Sequence, residues 1–248
     1  MTHPSANEVL IAALARLVAG CRHVAVGNAS PIPAAAVLLA RALSGDAMIV
    51  SILGSRAHNP YTDGGRELFD AAGQGRLDAF FLGGGEIDGQ ANVNLVAVGP
   101  PDAPLARFPG SFGSAYLYFV VPRVILFRAE HSRRVLVPRV SFVSAPGQSP
   151  PGVYRTGGPA ALVTGRCAFA FDRARGRFRL ESVHPGHTAE EVRAETGFDY
   201  DAPPDVPATA SPSREALELI RGRVAMELAE TYPLFAAREW GRATRCSA

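Results

Sequence analysis

The 248-residue sequence predicts an α/β protein: an open, mostly parallel sheet with helices on both faces and some antiparallel strands in the C-terminal half. Two observations predict it. As far as Leu82, short apolar runs alternate with helical stretches at a spacing that requires right-handed crossovers, hence parallel strands covered on both faces. Beyond Gly99 the pattern changes, and the last three apolar runs, Ala160–Thr164, Cys167–Phe171 and Phe178–Ser182, are joined by short turns around Gly165 and Arg173–Gly176, the mark of antiparallel pairing.

The elements follow in order. Ser5-Ala6-Asn7-Glu8 is a capping box, and Leu10, Ile11, Leu14, Leu17 and Val18 repeat at helical spacing up to Gly20. His23–Gly27 reads as a buried strand, Asn28–Pro33 as a turn opening a helix through Leu43, and Ala47–Leu53 as a second strand. A helix over Arg66–Ala72 leads to a strand over Leu77–Leu82. After the loop Pro100–Gly113, strands are expected at Val124–Phe127, Val140–Val143, Ala160–Thr164, Cys167–Phe171 and Phe178–Ser182. Ala145–Pro159 is a long exposed connection. A second capping box, Thr188-Ala189-Glu190-Glu191, opens a short helix stopped by Gly197. Residues 1–201 read as one domain, without internal repeat or second core. Residues 202–248 read as a proline-rich linker and a helix starting at Ser211-Pro212, packed on the same domain or on a partner.

Composition narrows the function classes. With 47% hydrophobic and 19% charged residues the chain is globular, and a net charge of +2 without any basic run argues against nucleic acid as a partner. All 25 lysine-plus-arginine positions are arginine, a bias that fits a genomic preference and excludes a lysine Schiff base or a phosphate-loop lysine. Cys21, Cys167 and Cys246 are far apart, which argues against a zinc site or a disulfide framework and fits a reducing compartment. The N-terminus lacks a signal-peptide layout and no apolar run is long enough for a membrane span, so the expected location is the cytoplasm, with no membrane partner.

One stretch stands out. In FFLGGGEIDGQANVNLVAV, Phe80–Val98, an apolar run breaks into Gly83-Gly84-Gly85 and then into a polar hairpin-like segment. A buried strand ending in glycines lets a ligand approach free backbone N–H groups; an unliganded glycine turn is the alternative. Glu86, Asp88, Asn92 and Asn94 offer carboxylates and amides for proton transfer or for orienting a carbonyl. They equally fit a hairpin satisfying its own backbone, the reading favoured for Asp88, whereas Glu86 is the better functional candidate. A serine-hydrolase triad is unsupported, since no G-x-S-x-G occurs, and the glycines do not form G-x-G-x-x-G. His184-Pro185-Gly186-His187 has ligand-like spacing but no accompanying carboxylate or cysteine set, so structural histidines are favoured.

Taken together, these segments resemble the beta subunit of family I coenzyme A transferases, the glutaconate/oxoacid type. The strand, turn and proline-started helix of Val24–Leu43 is similar to the family's, and FFLGGGEIDGQANVNLVAVG resembles its G-A-x-E/Q-V-D-x-x-G-N-x-N segment. FPGSFGSA, Phe108–Ala115, stands where the family has a glycine-rich loop, and Arg123–His131 looks like the strand after it. The most specific match is VHPGHTAEEVRAETGFDYD, Val183–Asp201, to the family's C-terminal signature. The resemblance covers roughly residues 5–201.

It implies a CoA-transferase-like (NagB-like) sheet and a heterodimer or heterotetramer with an alpha-type subunit. It also implies a coenzyme A thioester as substrate rather than a permanently bound cofactor. The implied substrate-facing residues are Gly27, Asn28, Ser51, Gly83, Gly84, Gly85, Asn92, Asn94, Gly110, Ser111 and Gly113, with the glycine amides holding a developing oxyanion. Active transferases of this type attack the thioester with a glutamate after the second strand. Here Ile52 takes its place, and no carboxylate lies between Asp46 and Asp63. Glu86 is then the best acid this chain retains. The related steroid ring-opening CoA-thioester hydrolases use the fold with an acid from the alpha subunit. The expectation is therefore hydrolytic or ring-opening chemistry completed by an alpha subunit. Conventional transfer, a non-catalytic acyl-CoA- or partner-binding subunit, and, more weakly, a sugar-phosphate isomerase-like enzyme are the alternatives. Exchange of Gly84 for valine is expected to remove activity and leave folding intact.

Overall fold

A computed structural model describes residues 3–100 and 102–241. Met1, Thr2, Pro101 and Cys246 lie outside the described residues. The chain forms the expected α/β fold with a mixed, mostly parallel sheet. In order come α1 (Ala6–Leu17), β1 (His23–Val26), α2 (Pro31–Leu43), β2 (Ile49–Ile52), α3 (Gly64–Gly73) and β3 (Ala79–Leu82). The hairpin β4 (Glu86–Ile87) and β5 (Val93–Asn94), the small pair β6 (Ala97–Val98) and β7 (Ala106–Arg107), and α4 (Ser114–Val120) lead to β8 (Arg123–Arg128). Then come β9 (Pro159–Thr164), β10 (Cys167–Asp172), β11 (Arg177–Val183), α5 (Ala189–Glu195), α6 (Arg214–Leu219), a π-helical turn (Ile220–Val224), α7 (Ala225–Ala229) and α8 (Pro233–Trp240). The chain divides into two compact units. Met1–Glu67, Leu77–Ala79 and Ala210–Ala248 form the first, and Leu68–Arg76 and Phe80–Thr209 the second.

In the first unit β1 and β2 pair in parallel, with His23 opposite Ile49 and Val26 opposite Ile52. Every residue of β1 is buried, as parallel strands covered on both faces require. The Ser5–Glu8 capping box closes reciprocally at 2.8 and 3.2 Å, and α2 starts on Pro31. Glu8 is only 3% exposed and receives two bonds from Arg221, at 2.6 and 2.8 Å, which fasten the C-terminal helices to α1. Burial pushes the Glu8 carboxyl up, but the Arg221 guanidinium and the Ser5 amide outweigh it and hold the group below its ordinary value. The single helix expected from Ser211-Pro212 is instead capped by Ser213, widened by the π turn and restarted at Pro233. No helix among the described residues is long and apolar enough to cross a membrane.

In the second unit β8 and β9 are parallel, and β9, β10 and β11 run antiparallel, as the close spacing of their apolar runs predicts. Phe169 packs edge-on to Tyr200 at 5.0 Å and Phe178 stacks on Phe198 at 5.5 Å, joining these strands to the segment after α5. Two buried histidines hold that segment. His131 Nε2 faces Thr196 Oγ1 (3.1 Å) and its Nδ1 faces Thr164 Oγ1 (2.8 Å); His184 spans Thr209 Oγ1 (2.7 Å) and the Thr164 carbonyl (3.0 Å). Thr164 Oγ1 already accepts the Arg166 and Cys167 amides, so a second proton on His131 would face a saturated oxygen. Burial brings both imidazoles down to about 4. It also pushes the Cys167 thiol up to about 12, which leaves it unreactive.

Two expectations fail here. Val140–Val143 is no strand, because the Val140 and Ser141 amides bond to the side chains of Asp88 and Glu86, at 3.4 and 2.7 Å, and not to a neighbouring strand. The helix α4 was not foreseen. Its sequence SAYLYFV is rich in residues of modest helix propensity, and it is held by tertiary packing, with Tyr118 fully buried and its hydroxyl donating to the Ala91 carbonyl at 2.8 Å.

Candidate functional site

In the first unit the turns after β1 and β2 meet. Asn28 Oδ1 accepts the Ala29 amide at 2.8 Å and would stand 3.4 Å from a Cβ placed on Gly54, while Gly27 borders open space. Ser51 is fully buried, with its hydroxyl 2.7 Å from His23 Nε2, so its side chain offers no surface to a substrate. Ile52 ends β2 with 1% exposure and donates its amide to the His58 carbonyl at 2.7 Å. The turn that follows is compact. The Ser55 amide donates to the Ile52 carbonyl (3.0 Å) and the His58 amide to Ser55 Oγ (3.0 Å).

The sequence held no sign of what fixes this turn. Glu230 accepts the Ser55 hydroxyl at 2.7 Å and the Arg56 amide at 2.9 Å. Burial raises the Glu230 carboxyl, but the Thr231 and Ser55 hydroxyls and the Arg56 amide outweigh it and lower the group. The Tyr232 hydroxyl accepts the Ser30 amide, at 3.2 Å, in the turn after β1. His58 lies between Arg41, whose guanidinium donates to Nδ1 at 3.1 Å, and Glu227, 3.4 Å from Nε2. Burial lowers the His58 imidazole.

In the second unit the three glycines serve different ends. Gly83 is exposed. A Cβ on Gly84 would lie 2.4 Å from Val93 Cγ1, and one on Gly85 would lie 2.0 Å from the Phe108 ring. Gly85 also gives its amide to the Asn94 carbonyl at 2.9 Å, which takes it out of use as an oxyanion donor. Two of the glycines are therefore packing devices, and a valine at Gly84 could not leave folding intact.

Glu86 is 5% exposed and accepts Asn94 Nδ2 (2.8 Å), the Ser141 amide (2.7 Å) and the Ser141 hydroxyl (3.0 Å). Asp88 accepts the amides of Gln90 and Asn92, each at 3.0 Å, and the Asn92 side chain at 3.1 Å. The backbone-satisfying reading of Asp88 is the one its contacts fit, whereas Glu86 bonds to the Asn94 side chain and to Ser141 on another segment. Asn94 is fully buried and spends its side chain on Glu86, the Ala97 carbonyl and the Val96 amide. Asn92 holds the Gly147 amide at 3.1 Å. It also borders a cavity of about 850 Å³ with Gln90, Arg139, Arg177 and Phe198.

Gly110 and Ser111 lie on an exposed loop with Phe112, whose φ of 46° is left-handed and whose ring is 80% exposed. A Cβ on Gly113 would lie 2.1 Å from the Phe69 ring. The two histidines with ligand-like spacing do not converge: both ring nitrogens of His184 are engaged in the buried network, and His187 stands 3.5 Å from Glu191.

Residues 6–195 match the Coenzyme A transferase family, about three quarters of the chain and all of the elements just described except the C-terminal helices. The chain belongs to that family. It is 29% identical over 153 residues to the B-subunit of the 3-oxoadipate CoA-transferase of Pseudomonas knackmussii, covering 59% of this chain and 58% of the relative. It is 31% identical over 162 residues to the cholesterol ring-cleaving hydrolase IpdB subunit of Rhodococcus jostii, covering 63% and 62%. The chain thus spans about three fifths of the length of these curated relatives. Among solved structures it superposes on Rhodococcus jostii IpdAB with a TM-score of 0.78 at 26% identity, over 89% of this chain and 94% of that one. It also superposes on the decarboxylase AibA/AibB with a TM-score of 0.73 at 26% identity, over 88% and 93%.

Proposed function

We propose that this coenzyme A transferase family member is the beta-type subunit of a heteromer acting on an acyl-CoA thioester, and that it carries out hydrolytic or ring-opening chemistry with the catalytic acid on an alpha-type subunit. One observation carries the reading: Ile52 ends β2 with its side chain in the core, and no carboxylate lies in sequence between Asp46 and Asp63. An isoleucine cannot form the acyl anhydride or the thioester through which a carboxylate nucleophile transfers coenzyme A. Glu86, tied by three donors, serves to hold the 138–145 segment against the hairpin. That leaves the second unit without a disengaged acid among Glu86 and Asp88, and general-acid work falls to the partner.

Two similar solved proteins support non-transfer chemistry in this family, since one is named for ring cleavage and the other for decarboxylation. In the first unit the turn at Gly27–Asn28 is the backbone offered to the thioester; within the second unit, considered by itself, Gly83, exposed where β3 ends, is the corresponding candidate. Similarity to a 3-oxoadipate CoA-transferase favours the second reading, conventional transfer.

Trapping during turnover separates the two. The assembled heteromer is supplied with acyl-CoA and treated with borohydride or hydroxylamine. The expected result is turnover with no label on this chain, whereas a labelled carboxylate here establishes transfer. An associated pair with no turnover on any acyl-CoA points to a binding role.

A further inference from the structure

Residues 230–232 lie well beyond the 6–195 segment matched by the family, yet they touch both the turn after β1, proposed above as a substrate contact, and the turn after β2, where the family's glutamate is missing. Glu230 takes the Ser55 hydroxyl and the Arg56 amide after β2. The Thr231 Cγ2 would stand 4.0 Å from a Cβ on Gly54. Tyr232 takes the Ser30 amide after β1. Three consecutive residues thus bridge the ends of two adjacent parallel strands, the edge at which open α/β sheets bind ligands.

The bridge is itself anchored. Glu227, one helical turn earlier, faces His58 and accepts Arg223 Nε at 2.6 Å, and Arg223 reaches Asp46, after α2, at 2.6 and 3.0 Å. Without Glu230 the Arg56 amide and the Ser55 hydroxyl lose their acceptor, and the turn is left with its internal Ile52–Ser55–His58 bonds. Such a turn gains alternative conformations, and a substrate must then select the competent one from them.

We propose that Glu230, Thr231 and Tyr232 form a positioning strap that sets the turns after β1 and β2 for acyl-CoA binding, with Glu230 as its principal positioning residue. The strap rests on the acyl-CoA reading above. It assigns Glu230 no chemical step, even though Glu230 is the carboxylate that the fold brings to the turn where the family's glutamate is missing. A Gln at this position can still accept the Arg56 amide through its oxygen and donate to Ser55 through its nitrogen. It therefore keeps the strap and removes the carboxylate.

The test compares Glu230→Ala and Glu230→Gln in the assembled heteromer by amide hydrogen exchange of residues 53–58 and by steady-state kinetics with an acyl-CoA. Glu230→Ala is expected to speed exchange in 53–58 at least about tenfold. It should lower kcat/KM about tenfold through a raised KM, with kcat within about threefold of wild type. Glu230→Gln is expected to restore both to within about threefold. Unchanged exchange in Glu230→Ala overturns the strap. Faster exchange with unchanged KM overturns its link to substrate. A Glu230→Gln variant as inactive as Glu230→Ala overturns positioning in favour of a chemical role for the carboxylate. A wild-type heteromer with no acyl-CoA turnover overturns the functional reading instead, and the exchange data alone then decide whether the strap exists.

Discussion

The hairpin after β3 and the turn after β2 are both held by carboxylates that accept several donors, but over different sequence ranges and depths. In the hairpin, Glu86 and Asp88 bond to Asn94, Gln90 and Asn92, all within 8 residues, and both reach one more segment, at Ser141 and Val140. In the turn, Glu230 bonds to Ser55 and Arg56, 175 and 174 residues away. Glu86 and Asp88 are buried and Glu230 is exposed. A buried acceptor cannot be replaced by water, so its loss costs far more than loss of an exposed one that makes the same number of bonds. The hairpin is therefore a rigid structural element. The turn is held by an acceptor that solvent can replace, and its conformation therefore depends more on the strap than on burial.

Acid should separate the two units most strongly. His131 and His184 have folded-state values of about 4, below the ordinary 6.5, so their stabilising effect is complete above 6.5 and is lost as pH falls toward 4. Together they should cost the second unit on the order of 4 kcal/mol between pH 7 and pH 5, read as a fall in the urea midpoint. Glu230 lies below its ordinary 4.5, so the strap's carboxylate stays charged across that window and weakens only at lower pH. His58, lowered by burial, shares the sign of the other histidines. If the midpoint is flat from pH 7 to 5, the histidine network is not holding the fold.

Next in size is Gly84→Val at the base of the hairpin. Its Cβ would overlap Val93 and approach the Glu86 carbonyl within 3.2 Å, so destabilisation of about 3 kcal/mol is expected by chemical denaturation. A variant as stable as wild type would mean that Gly84 serves a ligand and not packing. Glu86→Ala should cost about 2 kcal/mol, because the buried Asn94 amide and the Ser141 amide lose their acceptor. The matching change in the turn, Glu230→Ala, should cost about 1 kcal/mol or less in the same measurement, since water replaces the lost acceptor. Equal losses at Glu86 and Glu230 would break the distinction between the hairpin's buried acceptor and the turn's solvent-replaceable one.

Much of the fold was legible because its causes are local. The Ser5–Glu8 and Thr188–Glu191 boxes close as written, since capping depends on residues three apart. The hairpin from Glu86 to Asn94 could be read from its polar residues and glycines, and so could the bonding of Asp88 to its own backbone. Legibility failed where distant groups compete for the same backbone. Val140–Val143 has the composition of a strand, but Asp88 and Glu86 capture its amides. Gly84 and Gly85 look like a ligand-cradling pair in sequence, yet Val93 and Phe108 occupy the space their missing side chains leave.

The sequence by itself determined the α/β class, the coenzyme A transferase family and the lack of any carboxylate between Asp46 and Asp63, because periodicity, motif spacing and residue identity are properties of neighbouring positions. Only the tertiary structure decided that Ser51 is sealed against His23, that the acids of the hairpin are consumed by their own scaffold, and that Glu230 supplies the acceptor for the turn after β2. The reason is that a hydrogen-bonding group is defined by whichever partner reaches it first in space. For Ser55 and Arg56 that partner is 175 and 174 residues away along the chain.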